Sequence, residues 1–224
     1  MNIEIEIAKY QHFSFDLWLT IIKSNPDFKV KRDQLLKDHF SIDASFDEVR
    51  KAVRYYDVLL NKISEKTGRH IERETAYLLI LNALGKKFED VTNVQLNLYF
   101  QEMDQLFLEN LPVILWDNIE DQLIRIKNEG KTSSILSNTA FIRGETLEKM
   151  LQKLGISSYF SFKIFSDEVK ISKPNPNIFD LVHQSVKKIK QVEKNEILHI
   201  GDNAFADFQG AKNFGFNAQL VEKQ

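Results

Sequence analysis

The chain has 224 residues, of which 43% are hydrophobic and 28% are charged, and its formal net charge is −2 at pH 7. This composition is typical of a soluble globular protein, and the small net charge gives no electrostatic footprint for a nucleic-acid partner. No cysteine is present, which excludes disulfides, thiolate catalysis and zinc sites with cysteine ligands. The five histidines do not fall into metal-ligand spacing, so no zinc site is expected.

The beginning of the chain is acidic and lacks a basic leader followed by an apolar stretch. No apolar run approaches the roughly 20 residues that a membrane-spanning helix needs. We therefore expect a cytoplasmic protein without a membrane partner.

The first predicted element is an apolar run at residues 12–15, which ends at Asp16, four residues before Thr20. A short apolar run that stops abruptly at polar groups is typical of a buried strand in a parallel sheet. Ligands bind at the carboxyl ends of such strands. Asp16 and Thr20 are therefore candidates for a functional site.

Residues 21–110 have a helical pattern throughout. No proline occurs between Pro26 and Pro112, and apolar residues recur at intervals of three and four. This pattern predicts a bundle of four or five helices inserted after the first strand. We expect two domains, the helical one at residues 21–110 and a core formed by residues 1–20 and 111–224.

After Pro112, helical and strand patterns alternate along the chain. The predicted helices lie at residues 117–129, 145–154, 177–188 and 204–214, and the predicted strands lie at residues 132–136, 162–165, 197–200 and 218–221. Alternation of this kind implies right-handed crossovers. The sequence therefore predicts an α/β fold with a doubly wound parallel sheet.

Further polar signatures follow the later apolar runs. They are Ser137 with Asn138, Lys173 before a proline, and Asp202 followed by Asp207. Each has an ordinary structural explanation, because Ser and Asn are common in turns and an acidic residue suits a helix N-terminus. Their order along the chain favours another interpretation, in which three carboxylates, one lysine and two small polar residues converge on one crevice.

Together these signatures resemble the haloacid dehalogenase-like superfamily, a group of hydrolases with an aspartate nucleophile. The matching stretches are Asp16-x-x-x-Thr20, Ser137-Asn138, residues 166–179 and residues 199–211. The resemblance implies a Rossmann-like core with a helical cap inserted directly after the first motif. This arrangement agrees with the insertion that periodicity predicts.

The resemblance also implies a chemistry. Asp16 attacks phosphorus and forms an aspartyl phosphate, which water then hydrolyses. Lys173 balances the negative charge of the nucleophile and the phosphoryl group. The phosphoryl oxygens are held by the hydroxyls of Thr20 and Ser137 and by the main-chain amides of Leu17 and Asn138.

A divalent cation is expected at the same place. Three carboxylates and a phosphate cannot share a pocket with one lysine unless more positive charge arrives, which predicts magnesium. By the resemblance, Asp16, the main-chain carbonyl of Trp18 and Asp202 bind it together with water. Asp207 supports Lys173 or a water bound to the metal.

One departure from the family pattern concerns proton transfer. Phosphatases of this superfamily usually carry a second aspartate two residues after the nucleophile, whereas this chain has Trp18. An indole N–H does not exchange its proton at neutral pH, and losing a general acid costs about 10² to 10⁴ in rate. Leu19 also replaces the usual glycine. Three consequences stay open: activity restricted to acyl or aryl phosphates, a proton supplied by a cap residue or water, or lost turnover.

Dehalogenation is an alternative activity. The haloacid dehalogenases of the superfamily have a tyrosine at the position of Trp18 and displace halide from carbon without a metal. Asp202 and Asp207 argue against this activity, because a metal-free site for a carboxylate substrate should avoid so much negative charge. The first motif region also offers no arginine to bind the acid.

Two further alternatives depend on the same pocket. The phosphonatases of the superfamily use a cap lysine as a Schiff base, but the sequence does not distinguish Lys23, Lys29 and Lys31 for this role. A protein that binds a substrate analogue without turnover would keep the pocket and lose the general acid.

The expected partner is a small phosphorylated molecule, and the sequence does not decide between a monomer and a homodimer. In capped hydrolases the cap determines specificity and gates access. Arg54, Tyr55 and Asp57 are candidates to face the crevice from the cap. His199 lies inside a predicted strand and is expected to be a hydrogen-bonded core residue.

Overall fold

The computed structural model of the protein describes residues 2–221. Its strands are β1 (His12–Phe15), β2 (Ile22–Lys23), β3 (Val113–Ile114), β4 (Thr132–Ser137), β5 (Phe162–Phe165), β6 (Ile197–Gly201) and β7 (Asn217–Leu220). Five of them form one parallel sheet in the order β5-β4-β1-β6-β7. The chain fills the sheet on one side of β1 and then on the other, so the predicted doubly wound α/β fold is confirmed.

The helices are α1 (Pro26–His39), α2 (Phe46–Thr67), α3 (Arg73–Ala83), α4 (Asn93–Glu109), α5 (Ile119–Asn128), α6 (Gly144–Lys153), α7 (Ser166–Val169), α8 (Pro176–Lys187) and α9 (Gly210–Phe214). The first four follow one another without an intervening strand, and we call residues 26–109 the helical insertion. The later helices alternate with β4 to β7, mostly within one or two residues of the predicted bounds. None of the helices in residues 2–221 combines the length and the apolar character needed to cross a membrane.

Local sequence signals determine where the helices of the insertion begin and end. α2 begins at a capping box, in which the side chains of Ser45 and Glu48 each accept a hydrogen bond from the other's main-chain N–H. It ends at Gly68, whose φ of +66° lies in the left-handed region that favours glycine. A second capping box, formed by Thr92 and Gln95, begins α4.

A short antiparallel ribbon joins the two ends of the helical insertion. In it β2 pairs with β3, and Ile22 lies opposite Ile114. The indole N–H of Trp116 donates a hydrogen bond of 2.6 Å to the carbonyl oxygen of Thr20. Each strand has only two residues, too few for a strand period to be read from the sequence. The ribbon lies where the insertion was predicted to begin and end, and the division into two domains stays a prediction.

Residues 204–214 do not form the single α-helix predicted for them. A π-helical segment at Ala204–Gln209 precedes α9. The side chain of Asn203 accepts hydrogen bonds from the main-chain N–H groups of Phe205 and Ala206, and the N–H of Asn203 donates to Asp207. This local network competes with regular helical bonding at the start of the segment, which periodicity alone cannot reveal.

Strand β1 presents different chemistry on its two faces. Phe13 and Phe15 are buried on one face, and alternation along the strand places His12 and Ser14 on the other. The hydroxyl of Ser14 lies 3.0 Å from Nδ1 of His199 in the neighbouring strand β6. Both polar groups are buried and hydrogen-bonded, so the expectation for His199 is confirmed.

The buried His12 predicts a dependence of stability on pH. Its ring lies between the hydroxyls of Thr132 and Ser134, at 2.7 and 2.9 Å, and stacks on Phe162. Burial lowers the pKa of His12 to about 3. In the unfolded chain a histidine takes up a proton near pH 6.5, so between pH 6.5 and 3 the unfolded state binds more protons. We therefore expect His12 to lower the free energy of unfolding by up to about 1.4 kcal/mol for each pH unit of acidification.

This expectation is checked by urea unfolding of the natural protein and of His12→Asn at several pH values from 7 to 4. The variant should be less stable at pH 7 but should lose stability less steeply on acidification. Equal slopes for the two proteins would contradict the prediction.

Candidate functional site

The carboxyl ends of three adjacent strands carry the predicted site residues. Asp16 follows β1, Ser137 ends β4, and Asp202 follows β6, and β1 lies between the other two strands. One carboxylate oxygen from each of Asp16, Asp202 and Asp207 lies within 4.8 Å of the others. The fold thus brings together acidic groups that are separated by almost the whole length of the chain.

The carboxylate of Asp16 is held at both oxygens. Oδ1 accepts a hydrogen bond of 2.7 Å from Nζ of Lys173, and Oδ2 accepts one of 3.0 Å from the hydroxyl of Thr20. Only 6% of Asp16 is exposed. Two bonds at opposite oxygens fix the plane of the carboxylate, which is what a nucleophile attacking along one direction requires.

Lys173 is a buried cation with three partners. Its Nζ lies 2.7 Å from Asp16 and 2.7 Å from Asp207, and it donates a bond of 2.8 Å to the carbonyl oxygen of Leu136. Asn138 anchors the main chain of Lys173 through bonds of 3.0 and 2.8 Å to its carbonyl oxygen and N–H. The three partners match the three donors of an ammonium group, so Lys173 is held in one position.

Asp207 has further partners besides Lys173. His199 lies 3.1 Å from its Oδ1, and the main-chain N–H of Asn203 donates to its Oδ2. A Cβ atom at Gly201 would lie only 2.3 Å from Cγ of Asp207, so only glycine permits this approach. Sequence reasoning identified Asp207 but not His199 as its partner, because the contact crosses a strand and a turn.

Burial and neighbouring charges shift the pKa values of two acids of the site in opposite directions. Burial raises the pKa of Asp16, Lys173 lowers it, and Asp207 and Asp202 raise it further, with a net increase. Burial acts the same way on Asp207, but Lys173 and His199 hold its pKa well below the usual range. Lys173 is bonded to both Asp16 and Asp207. Asp16, Asp202 and Asp207 each offer a carboxylate oxygen as a possible metal ligand. Such a set of oxygen ligands fits a hard divalent cation such as magnesium.

The remaining predicted residues lie around this centre. Ser137 is buried, and its hydroxyl donates a long bond of 3.4 Å to the carbonyl oxygen of Asn138. The carbonyl oxygen of Leu17 accepts bonds from the main-chain N–H groups of Ile21 and Ile22. These bonds close the loop after β1. The assigned roles of Ser137, Leu17 and Asn138 in holding a phosphoryl group stay predictions.

Two residues of the first motif depart from the family pattern without disrupting the loop. Leu19 has a φ of +59°, the left-handed conformation that a glycine would adopt more easily, and 49% of it is exposed. Its backbone therefore makes the tight turn, and its half-exposed side chain lines the cavity described below. Trp18 is half-buried and packs against Phe107 of the helical insertion, with ring centroids 6.1 Å apart.

A cavity of about 280 Å³ adjoins the site, between the first motif and the helical insertion. Trp18, Leu19 and Asn138 line its inner side. Its charged lining residues, all from α1 and α2, are Lys29, Arg32, Arg54 and Asp57. The first motif region supplies no arginine, as expected, but the insertion supplies two.

The orientation of α2 only partly follows the prediction. Arg54 and Asp57 line the cavity, whereas Tyr55 is 61% exposed and does not. Asn61 also lines it, and the spacing of three and four residues from Arg54 to Asp57 to Asn61 is that of one helix face. This polar stripe was the available signal for Asn61. The sequence has no comparable pattern that predicts Arg32 in the lining of the cavity.

The helical insertion also contacts the loops that carry Lys173 and Asp202. Oε1 of Glu65, in α2, accepts a bond of 2.7 Å from the side chain of Asn203. The carbonyl oxygen of Gly68 accepts from the N–H of Ser172, and a Cβ atom at Gly68 would lie 2.9 Å from Cβ of Asn175. The end of α2 therefore packs directly against the residues on both sides of the site.

Comparison with known proteins identifies the family. Residues 15–221 match the family described as haloacid dehalogenase-like hydrolase. The chain belongs to this family. The resemblance stated from the motifs is thereby confirmed, and the protein is a hydrolase of the haloacid dehalogenase-like superfamily with a Rossmann-like α/β core.

Relatives within the family have different activities. The chain is 27% identical over 150 residues to (S)-2-haloacid dehalogenase 2 from Pseudomonas sp. (strain CBS-3), covering 67% of this chain and 58% of the relative. It is 27% identical over 171 residues to glyceraldehyde 3-phosphate phosphatase from Methanothermobacter thermautotrophicus, covering 70% of this chain and 72% of the relative. The chain thus spans less than two thirds of the length of the Pseudomonas relative.

Solved structures share the fold. The HAD-hydrolase YfnB from Bacillus subtilis, whose structure was determined bound to magnesium, superposes with a TM-score of 0.71 at 19% identity. The superposition covers 95% of this chain and 89% of that one. At this identity the likeness establishes the architecture alone.

Proposed function

We propose that this protein is a magnesium-dependent phosphatase that acts on a small phosphorylated metabolite through an aspartyl phosphate on Asp16. The observation that carries the proposal is the buried bond of 2.7 Å between Asp16 and Lys173 beside the carboxylates of Asp202 and Asp207. The phosphatase among the relatives supports the same activity. The substrate is a small molecule, nucleic acid and membranes are not partners, and the protein acts in the cytoplasm as a monomer or homodimer.

The mechanism follows from how Asp16 is held. With Lys173 and Thr20 bonded to its two oxygens, the carboxylate keeps one orientation toward the crevice and attacks phosphorus. The bond between phosphorus and the leaving oxygen breaks, and water then hydrolyses the aspartyl phosphate, regenerating Asp16. Lys173 offsets negative charge throughout, because its own partners keep it buried and charged.

The acidic cluster has the composition of a magnesium site. Asp16, Asp202, Asp207 and the carbonyl of Trp18 are the proposed ligands, with Asp207 acting directly or through Lys173 and water. When bound, magnesium would supply the positive charge that lets a phosphoryl group approach three carboxylates.

Trp18 limits the leaving groups that this protein can expel. An alkoxide needs a proton as it departs, and an indole does not provide one. Carboxylate and phenolate leaving groups are stable without immediate protonation. We therefore propose that acyl and aryl phosphates are hydrolysed faster than alkyl phosphates.

The test is phosphate release from acetyl phosphate, 4-nitrophenyl phosphate and ethyl phosphate, each with magnesium and with a chelator. Trp18→Asp should speed hydrolysis of ethyl phosphate by about 10²-fold or more, because it restores a general acid. It should change the rate on acetyl phosphate much less.

Trp18→Asn is the matched control, since it opens the same space without supplying a titratable proton. If Trp18→Asn accelerates the hydrolysis of ethyl phosphate as strongly as Trp18→Asp does, a missing proton donor is not what limits the rate of the natural protein. If no phosphate is released from any of the three compounds in the presence of magnesium, the phosphatase proposal fails.

Dehalogenation is the second candidate function. It is favoured by the dehalogenase among the relatives and by Arg32 and Arg54 in the cavity, which are suited to a substrate carboxylate. It is disfavoured by Asp202 and Asp207, whose charge a metal-free site would have to tolerate. Halide release from 2-haloacids in the presence of a chelator would establish it.

A binding protein without turnover is distinguished by trapping. With magnesium and beryllium fluoride, a phosphatase should form an adduct at Asp16 that mass spectrometry under native conditions detects. A phosphatase also turns over acetyl phosphate, whereas an inert binder does neither. The bonds that hold Asp16 and Lys173 favour the phosphatase, because a site without turnover has no need for an oriented nucleophile.

A further inference from the structure

We propose that the cavity between Trp18 and the helical insertion binds a carboxylate of the substrate, so that the preferred substrates are compact phosphate esters that carry a second anionic group. This inference rests on the proposed phosphatase function and names its substrate class. It follows from the charges that line the cavity, from how Arg32 is held, and from where the cavity lies.

The charged lining of the cavity is positive in a chain that is negative overall. Lys29, Arg32 and Arg54 contribute three positive charges and Asp57 contributes one negative charge, whereas the formal net charge of the chain is −2. Asp57 lies 3.3 Å from Arg54, and Asp33, which does not line the cavity, lies 2.7 Å from Arg32. The lining itself therefore keeps an excess of positive charge, which Asp33 offsets in part. Trp18 also stands where the family usually has a carboxylate, which keeps further negative charge away.

These cations belong to a cavity that Asp16 and Lys173 do not line. Asn138, which is bonded to the main chain of Lys173, does line the cavity. The cavity therefore begins beside the phosphoryl site and extends away from it. A substrate bound at Asp16 places its leaving group, and not its phosphoryl group, among the cations.

Arg32 is held ready to bind a planar anion. Its side chain is only 13% exposed, and its guanidinium lies 5.3 Å from the ring centre of Phe141 and 5.9 Å from that of Phe28. Nε and Nη2 both donate to Oδ1 of Asp33, which leaves Nη1 for a ligand. A guanidinium already fixed by rings and a neighbouring acid loses little entropy when a carboxylate binds.

The size and walls of the cavity define the rest of the substrate. About 280 Å³ lies just below the range usual for small-molecule sites, so the leaving group has few heavy atoms. Trp18, Phe28 and Phe141 provide flat apolar walls for the carbon skeleton between the two anions. A short or aromatic acid esterified with phosphate has these properties.

The test compares 3- and 4-carboxyphenyl phosphate with their uncharged amides, 3- and 4-carbamoylphenyl phosphate, in the presence of magnesium. Each pair has nearly the same shape and differs in one charge. We expect kcat/KM for at least one acid to exceed that of its amide by about 10-fold to 100-fold, mainly through KM, as for hydrogen bonds to a charged group.

Arg54→Gln and Lys29→Gln should bring this acid-to-amide ratio toward one, because each lowers kcat/KM for the acid more than for its amide. Arg50→Gln is the matched control, since Arg50 lies one turn before Arg54 on α2, is exposed and does not line the cavity. Arg32→Lys keeps the charge but loses the planar fork, and it should also reduce the ratio. This substitution spares the buried Asp33 from losing its cationic partner.

The outcomes separate the two proposals. If phosphate is released from the esters but both acid-to-amide ratios are near one, or if Arg54→Gln and Lys29→Gln leave the ratios unchanged, the carboxylate site is refuted and the phosphatase function stands. If no ester releases phosphate, the phosphatase function is refuted and the inference with it.

Discussion

Replacing Asp16 by Asn is expected to reduce phosphate release by about four orders of magnitude or more, because the amide is not a nucleophile toward phosphorus. Stability should change little, by about 1 kcal/mol. The natural carboxylate is buried beside two other acids, which raises its pKa, and Asn keeps one oxygen to accept a bond. The measurements are initial rates with acetyl phosphate and magnesium, and thermal unfolding of both proteins.

Asp43→Asn is the control for this prediction, since Asp43 is exposed in the loop between α1 and α2. It should leave both the rate and the unfolding temperature unchanged. Substantial turnover by a folded Asp16→Asn protein would remove Asp16 from its proposed role as the nucleophile. Loss of activity together with loss of folded structure would show that the carboxylate is needed for stability instead.

Replacing Lys173 by Met is expected to have the largest effect on stability. Lys173 is 2% exposed and lies 2.7 Å from both Asp16 and Asp207, so its removal leaves two buried carboxylates without their cation. Breaking a buried ion pair by removing one partner costs about 3–5 kcal/mol. Urea unfolding at pH 7 should show a loss of this size, and phosphate release should be abolished.

Adding magnesium distinguishes two possible causes of the instability of Lys173→Met, namely the loss of a positive charge and the loss of packing. If the carboxylates are destabilised by their charge, adding magnesium should stabilise Lys173→Met more than it stabilises the natural protein. Lys170→Met is the control, because the pair of Lys170 with Glu72 is exposed and contributes less than about 1 kcal/mol. A Lys173→Met protein as stable as the natural one would mean that the acids are neutral without Lys173.

The site and the cavity beside it are formed by residues from both the parallel sheet and the helical insertion. The sheet positions Asp16, the buried Lys173 and the other two acids, and α1 and α2 supply the charged lining of the adjoining cavity. The end of α2 is bonded to Asn203 and Ser172, next to Asp202 and Lys173. A substrate that fills the cavity therefore contacts both parts at once, as expected if the insertion controls access.

The sequence by itself determined the order and type of the main elements. β1, β4, β5 and β6 were located because each is a short apolar run that ends at polar groups, and the helices were located by period and by glycine ends. These signals depend only on neighbouring residues, so they can be interpreted without knowledge of the fold. The same strand ends identified Asp16 and Asp202, since parallel strands place their carboxyl ends at one edge.

Only the tertiary structure decided which groups hold one another. Lys173 bonds to Asp16 across 157 positions, and Asn138 anchors Lys173 across 35. The link between His199 and Asp207 and the position of Arg32 in the cavity likewise depend on how distant elements pack. Hydrophobic period fixes which face of an element is buried, but the partner across that face is set by the packing of the whole chain, which no local pattern encodes.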